Sequence, residues 1–140
     1  MNERPLVGLG LLLIKDGKVL LGKRKSSHGS GEYAGLGGHL EALESFEQSL
    51  LREVAEEGGP DLKVKNLRFL CISNITAYAP KHYVDIGMVA DWESGEPQVM
   101  EPEKLESWGW YDIDNLPTPL FSAIENYVAA YKTGQSYFTS

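Results

Sequence analysis

Three glutamates close together in one segment, Glu53, Glu56 and Glu57, carry the strongest chemical signal in this chain. A helix turns about 100° per residue, so Glu57 would point about 40° from Glu53 and Glu56 about 60° to its other side. Like charges at these spacings repel by roughly a few tenths of a kcal/mol per pair. A compensating hard divalent cation is therefore expected. Mg²⁺ fits best because it prefers oxygen ligands, and Mn²⁺ is a substitute.

The segment that carries the glutamates has the start and stop signals of a helix. Ser45 and Gln48 form a capping-box pattern at its start, and Gly58-Gly59-Pro60 ends it. The carboxylates then stand near the negative end of the helix dipole, which disfavours anions and strengthens the case for bound metal. The predicted packing stripe consists of Phe46, Leu50 and Val54, with Leu51 and Ala55 beside it.

The spacing of these charged residues and glycines resembles the motif of the Nudix hydrolase family. That motif reads glycine, five residues, glutamate, seven residues, Arg-Glu, aliphatic, any residue, Glu-Glu, any residue, glycine. Two positions depart from the usual pattern, since Pro60 stands where an aliphatic residue is common and Leu36 where many members have proline. The matching residues are Gly38, Glu44, Arg52, Glu53, Val54, Glu56, Glu57 and Gly59.

The resemblance covers nearly the whole chain and implies a fold. It implies an α/β Nudix fold, an α/β/α sandwich with a mixed β-sheet and the Nudix loop-helix-loop, as one domain over residues 1–140. It also implies that Glu53, Glu56, Glu57 and the carbonyl of Gly38 hold the metal. Two further residues, Glu44 and Arg52, are expected to pair with each other as a structural brace, separate from the metal set.

The resemblance leaves several site residues with two interpretations. One loop glutamate is expected to act as a further metal ligand or as the base, with Glu103 preferred to Glu101 and a solvated acidic loop as the alternative. Glu41 either lies near the metal or faces solvent. The expected substrate-binding residues are Lys23, Arg24, Gly37, His39 and Phe121, with surface or packing roles as the alternatives. The loop at residues 25–31 either approaches a phosphate or is a surface connection.

The implied activity is Mg²⁺-dependent cleavage of a pyrophosphate linkage in a nucleoside diphosphate joined to a further group X. The layout resembles the MutT-like branch, which converts normal or oxidised (deoxy)nucleoside triphosphates to monophosphate and pyrophosphate. The chain length leaves no room for the extra N-terminal domain of many ADP-ribose hydrolases, which favours this branch. Three alternatives remain, namely an ADP-ribose or dinucleotide pyrophosphatase, a non-catalytic nucleotide-binding module, and a structural cation site in a non-catalytic domain.

Periodicity and turn signals predict the remaining elements. An Asp16-Gly17 turn joins two apolar strands in a hairpin, and an apolar four-residue repeat marks a last helix. The predicted strands are residues 6–14, 19–24, 33–35, 62–74, 82–92 and 107–113, and the last helix is 119–132 with Leu120, Ile124, Val128 and Ala129 as its packing face.

Composition limits the class of partner. The net charge of −7 argues against a nucleic-acid partner, which needs a basic face, and leaves a small nucleotide as the expected one. Cys71 is the single cysteine and is expected to be a buried packing residue in a reduced, cytoplasmic protein. The apolar run at residues 6–14 is too short to span a bilayer, so no membrane partner is expected. A homodimer is expected from the family resemblance.

Overall fold

The computed structural model describes residues 3–25 and 30–139, so most of the glycine- and serine-rich loop at 25–31 lies outside the described residues. Eight strands within these ranges form one sheet in the order β3-β2-β1-β6-β5-β8, with β4 also paired to β1 and β7 to β2. The β1–β6 and β5–β8 pairs are parallel and the other pairs are antiparallel, so the sheet is mixed. The elements are β1 Leu6–Lys15, β2 Lys18–Arg24, β3 Tyr33–Ala34, β4 Leu36–His39, α1 Phe46–Gly58, β5 Lys63–Ile75, β6 Tyr83–Ser94, β7 Leu105–Asp112, α2 Ser122–Thr133 and β8 Tyr137–Thr139.

The two helices cover opposite faces of the sheet. Because side chains alternate along a strand, Leu9, Leu11 and Leu13 of β1 pack in the cluster under α1. Leu12 packs in the second cluster, which lies under α2. Each fully buried leucine contributes roughly 1.5–3 kcal/mol to folding. The predicted α/β/α sandwich is confirmed.

The hairpin and the helix boundaries follow the sequence signals. Asp16 and Gly17 both have positive φ, at 51° and 76°, as a two-residue hairpin turn requires. Ser45 caps α1, and Gly59 with φ 93° ends it. The predictions missed the short edge strand β8. They also missed strand β4, which contains Gly37 and Gly38.

The packing faces of the helices differ in part from the predicted stripes. Leu50 and Val54 are buried, but Phe46 is 38% exposed and Leu51 is 51% exposed. A four-residue repeat drifts about 40° per step around a helix, so the buried face of α1 continues through Ser49 and Glu53 instead.

On α2 the predicted Ile124 and Val128 are buried. Leu120 precedes the helix and, like Ala129, is half-buried. The residue that the prediction missed is Tyr127, which is also buried. Cys71 is buried and free, as predicted, and burial raises the pKa of its thiol to about 12.

Candidate active site

A capping box fixes the start of α1 and so the angular position of its glutamates. The Ser45 hydroxyl accepts a hydrogen bond of 3.0 Å from the Gln48 N–H, and the Ser45 N–H donates one of 2.9 Å to the Gln48 side chain. The last turn of α1 contains no basic residue. No cation in that turn therefore offsets the unfavourable interaction between its carboxylates and the helix dipole.

Glu57 is half-buried and faces strand β4. The Gly37 N–H donates a 2.8 Å hydrogen bond to its Oε1. Burial raises the pKa of Glu57 to about 8, and the charge of Glu53 acts in the same direction. The Gly37 N–H and the charge of Arg24 act in the opposite direction. The structure thus holds a carboxyl group in a place where its charged form is disfavoured.

Glu53 lies directly against Gly38. A Cβ built on Gly38 would overlap this carboxylate, since it would lie 2.5 Å from Cδ. Neither Gly37 nor Gly38 has a positive φ. Their requirement for glycine is therefore one of close approach rather than of backbone conformation. The contact brings the Gly38 backbone and the Glu53 carboxylate together, as a shared ion requires.

Arg52 is the cation on which the glutamates of this region converge. Its Nε and Nη2 donate to the two oxygens of Glu44 at 2.9 and 3.0 Å, so the predicted pair is present. The hydrogen bonds from Arg52 lower the pKa of Glu44 to about 2. The fork geometry of a guanidinium suits this two-oxygen contact.

Arg52 also bonds to two glutamates of the predicted metal set, so it is not confined to the brace. Its Nη1 donates to Glu53 at 2.8 Å and to Glu56 at 3.2 Å. The same nitrogen lies 3.5 Å from Glu41, which is exposed. Arg52 therefore neutralises part of the charge that the sequence assigned to a metal ion.

The oxygen atoms of these glutamates suit a hard divalent ion, although the side chains do not converge on a single point. Within residues 3–25 and 30–139, no three His, Cys, Asp or Glu side chains converge closely enough to hold a metal. Glu53 and Glu56 bond to Arg52, whereas Glu57 bonds to Gly37. Carboxylate oxygens and the Gly38 carbonyl are the ligands that Mg²⁺ prefers. An ion would take Glu53 and Glu56 by competing with Arg52 for their oxygens.

The carboxylates open onto a cleft of about 580 Å³. Of the residues proposed from sequence, Lys23, Glu44 and Glu103 do not line it. Lys23 follows the alternation of β2, pointing away from Arg24, and lies 3.6 Å from Glu106. The proposed residues that do line the cleft are Arg24, Gly37, Gly38, His39, Glu41, Arg52, Glu53, Glu56, Glu57, Glu101 and Phe121.

Glu101 occupies the position that the sequence assigned to Glu103. It lines the cleft, and its charge raises the pKa of both Glu53 and Glu57. Its carbonyl accepts the N–H groups of Lys104 and Leu105 at 2.9 and 3.2 Å, which forms a turn directly after Glu101. The structure therefore favours Glu101 over Glu103, because only Glu101 of these two lines the cleft. The chemical role of Glu101 stays a prediction.

Two contacts fix the loop that carries Glu101, and strand β7 after it, to the end of α1. The Gln98 N–H donates to the Gly58 carbonyl at 2.8 Å, and the Trp108 indole N–H donates to the Glu57 carbonyl at 3.2 Å. These bonds satisfy carbonyls that a helix end leaves without intrahelical partners. They also hold Glu101 beside the glutamates of α1.

Aromatic side chains form part of the cleft wall. Phe121, at the start of α2, stacks on Tyr78 with centroids 4.8 Å apart and planes 13° apart. The guanidinium of Arg24 lies 4.7 Å from the Phe121 centroid. The Tyr78 hydroxyl donates to Glu32 at 3.0 Å and accepts the Ser122 N–H at 2.8 Å. Phe121 is thus a wall residue of the cleft rather than part of the fully buried core.

Two cleft residues have no counterpart in the sequence predictions. Asp85 and Tyr127 are buried, and the Tyr127 hydroxyl donates to the Asp85 carboxylate. The signal for Asp85 was a single charged residue in the apolar strand YVDIGMVA. Tyr127 had no such signal, since an aromatic residue on a helix is ordinarily a packing residue.

The comparison with protein families decides the class of this arrangement. The NUDIX domain model matches residues 4–131. The chain belongs to the Nudix family. Its box is the loop-helix-loop from Gly38 to Gly59, whose helix is α1. The predicted family and fold are therefore confirmed.

Named relatives in the Nudix family differ in activity. A MutT NUDIX hydrolase of known structure from Burkholderia pseudomallei has a TM-score of 0.85 and 35% identity, over 91% of this chain and 98% of that one. The NAD-capped RNA hydrolase NudC of Chromobacterium violaceum is 34% identical over 76% of this chain and 38% of its own length. The oxidized purine nucleoside triphosphate hydrolase of Danio rerio is 31% identical over 76% of this chain and 66% of its own length.

These matches cover only part of some relatives. The Nudix chain described here spans about two fifths of the NudC relative that it matches. Among residues 3–25 and 30–139, no helix is both long enough and apolar enough to cross a bilayer.

Proposed function

We propose that this Nudix chain is a Mg²⁺-dependent hydrolase that cleaves the pyrophosphate linkage of a nucleoside diphosphate joined to a further group X. One observation carries the proposal: Glu53, Glu56 and Glu57 line, together with Gly37 and Gly38, a cleft of about 580 Å³. That volume lies within the usual range for small-molecule sites, about 300–1,000 Å³.

The residues that would hold the ion are Glu53, Glu56, Glu57 and the Gly38 carbonyl. Divalent cations supply charge neutralisation of the phosphates and lower the pKa of water at such sites. Glu57 is kept in place by the Gly37 N–H, and Arg52 keeps Glu53 and Glu56 on one side of α1.

Other cleft residues would bind the phosphates and accept the proton. Arg24 and Lys104 line the cleft on the side of Glu57 and Glu101. Guanidinium and ammonium groups bind phosphate oxygens through charge-assisted hydrogen bonds. A glutamate of the cluster, Glu101 or one of the α1 residues, would accept the proton of the attacking water. Replacement of Glu57 by Gln should remove most activity and leave the fold intact.

Within this class we assign a (deoxy)nucleoside triphosphate, normal or oxidised, cleaved to monophosphate and pyrophosphate. The similarity to a MutT NUDIX hydrolase over 98% of that chain supports this substrate. The oxidized purine nucleoside triphosphate hydrolase of zebrafish supports it as well.

A dinucleotide is the second candidate substrate, because relatives at 34% identity are named NAD-capped RNA hydrolases. ADP-ribose belongs to the same candidate class. A non-catalytic nucleotide-binding module is the third candidate, and retention of every box glutamate argues against it.

A substrate panel distinguishes these candidates. Nucleoside triphosphates, ADP-ribose and NAD are incubated with Mg²⁺, Mn²⁺ or a chelator, and products are separated as pyrophosphate, phosphate and mononucleotides. Release of pyrophosphate from triphosphates supports the first candidate, and cleavage confined to the dinucleotides supports the second. Binding without turnover of any compound would leave only the binding module. Light scattering on the same preparation tests the proposed homodimer.

A further inference from the structure

A buried carboxylate in the cleft has no part in the Nudix box. Asp85 lies on β6 and is 8% exposed, and it accepts a hydrogen bond from the buried Tyr127 hydroxyl. None of the ion pairs formed within residues 3–25 and 30–139 includes Asp85. A buried charge without a cation is unfavourable, and burial raises the pKa of Asp85 to about 6.

Three glycines of the sheet make the space that this pair occupies. Gly8 is the β1 partner of Asp85, and a Cβ built on it would lie 3.1 Å from Oδ1. A Cβ on Gly10 would overlap the Tyr127 hydroxyl, and one on Gly87 would lie 2.6 Å from its ring. Any side chain at these positions would displace the pair, so the sheet is built to seat it at the cleft.

Asp85 has acceptor capacity that the described residues do not use. An ionised carboxylate can accept about four hydrogen bonds, and within the described chain the Asp85 side chain accepts the one from Tyr127. Asp85, Gly8 and Tyr127 all line the cleft. A ligand with N–H donors would satisfy the remaining oxygen lone pairs, and an unsatisfied buried acceptor is costly.

Aromatic residues line the same cleft as this acceptor. Tyr83 lies 3.8 Å from the Cβ position of Gly8, and its ring is tilted against His39 at 5.6 Å. The stacked Tyr78 and Phe121 pair lines the same cleft. Flat heteroaromatic rings stack on such side chains, so the expected ligand group is a nucleobase.

The donor pattern of the nucleobases decides which base fits. Guanine presents a ring N–H beside an exocyclic amine, so two adjacent donors can face one carboxylate. Adenine and cytosine place a ring nitrogen lone pair beside their amine, and uracil and thymine flank their N–H with two carbonyls, so each of these sets an acceptor against the Asp85 oxygens. Oxidation of guanine at C8 leaves its two donors in place.

We propose that Asp85 is the specificity-determining residue for the base, that it selects guanine-type nucleotides, and that Tyr127 is its positioning residue. This assignment rests on the proposed function, because it names the base of that same substrate. The phosphates would lie at the box, since the Gly38 carbonyl is 4.0 Å from the same Gly8 Cβ position.

The test compares kcat/KM for dGTP, dITP, dATP and dCTP in the wild-type protein and in Asp85→Asn. The wild-type preference for dGTP over dATP should be roughly tenfold to hundredfold, the usual worth of a two-bond base contact. Asp85→Asn should lower the dGTP value by that factor and leave the dATP value within roughly threefold. Tyr127→Phe should reduce the same preference by less, because Asp85 remains.

Asp91→Asn is the matched control on the same strand. Asp91 accepts from the Asn66 amide at 2.9 Å and lies 3.5 Å from Arg68, away from the cleft. Its substitution should leave every base ratio unchanged. Equal losses for all four substrates in Asp85→Asn would overturn the proposal, since a merely structural role lowers all rates together.

The base contact can also be tested in the wild-type protein by changing the substrate. The base of dITP has the ring N–H but lacks the exocyclic amine, so wild-type protein should process it at a rate between those of dGTP and dATP. Equal kcat/KM values for dGTP and dITP would overturn the two-donor contact, even where a substitution at position 85 impairs folding.

Calorimetric binding of dGMP and dAMP in a chelator separates this proposal from the proposed function. Selective, Asp85-dependent dGMP binding without triphosphate turnover would refute the hydrolase and support the base contact. Triphosphate turnover with the same base ratios in wild type and Asp85→Asn would support the hydrolase and refute the base contact.

Discussion

Glu57 should limit the stability of the metal-free protein, because desolvation of its carboxyl group disfavours the charged form. Its folded-state pKa of about 8 lies above the ordinary value of 4.5. A raised pKa means that the group's contribution to stability is complete below pH 4.5 and is lost as the pH rises through 8. Between pH 4.5 and pH 7 the loss is about 3 kcal/mol, at 1.36 kcal/mol per pH unit.

Glu57→Gln removes this loss, since an amide does not titrate and still accepts from the Gly37 N–H. In a chelator at pH 7, the variant should be more stable by about 3 kcal/mol, or roughly 10 °C in Tm. Its kcat should fall at least roughly hundredfold. Urea unfolding from pH 4.5 to pH 8 measures the stability difference, which should widen as pH rises.

Two matched controls use other glutamates of α1. Glu56 is 54% exposed in its side chain, so Glu56→Gln should change stability by less than about 0.5 kcal/mol while still reducing activity. Glu47 is exposed in the first turn, so Glu47→Gln should leave kcat unchanged. A Glu57→Gln protein that is no more stable than wild type at any pH would refute the burial argument. Wild-type turnover by that variant would refute the metal assignment.

The remaining predictions concern the same wall of the cleft. Gly38→Ala forces the Glu53 carboxylate to move, so kcat should fall roughly hundredfold. Circular dichroism should show an unchanged secondary structure, and a wild-type kcat would contradict the close contact. Arg52→Lys keeps the charge but loses the two-oxygen contact with Glu44, so kcat and Tm should both fall, and equal values for both proteins would contradict the brace. Asp85→Asn should remove a loss of about 3 kcal/mol in unfolding free energy between pH 4 and pH 6, because the raised pKa of Asp85 makes the charged form unfavourable; a wild-type pH profile in the variant would refute this reasoning.

The sequence was sufficient to predict features that depend on residues close together in the chain. The box glutamates, the Ser45 cap and the Asp16-Gly17 hairpin all depend on residues within a few positions of one another. Their spacing fixes which side chains share one arc of a helix or one turn.

Sequence spacing failed where distant segments meet. The choice between Glu101 and Glu103 depends on a turn fixed by backbone hydrogen bonds. The contacts of Arg52 beyond Glu44 were not predicted, because its side chain is long enough to reach four carboxylates from one position. Such choices depend on side-chain direction in three dimensions, which residue order leaves open.

The sequence by itself determined the family, the helix that presents the carboxylates and the hard-ion chemistry they suit, because each follows from residue type and short spacing. Only the tertiary structure decided what surrounds them. Parallel pairing places Gly8 beside Asp85, and α2 brings Tyr127 to it from 42 residues further along the chain. Strand register and helix packing are set by the whole core, so no short stretch of sequence records that a carboxylate would border the cleft.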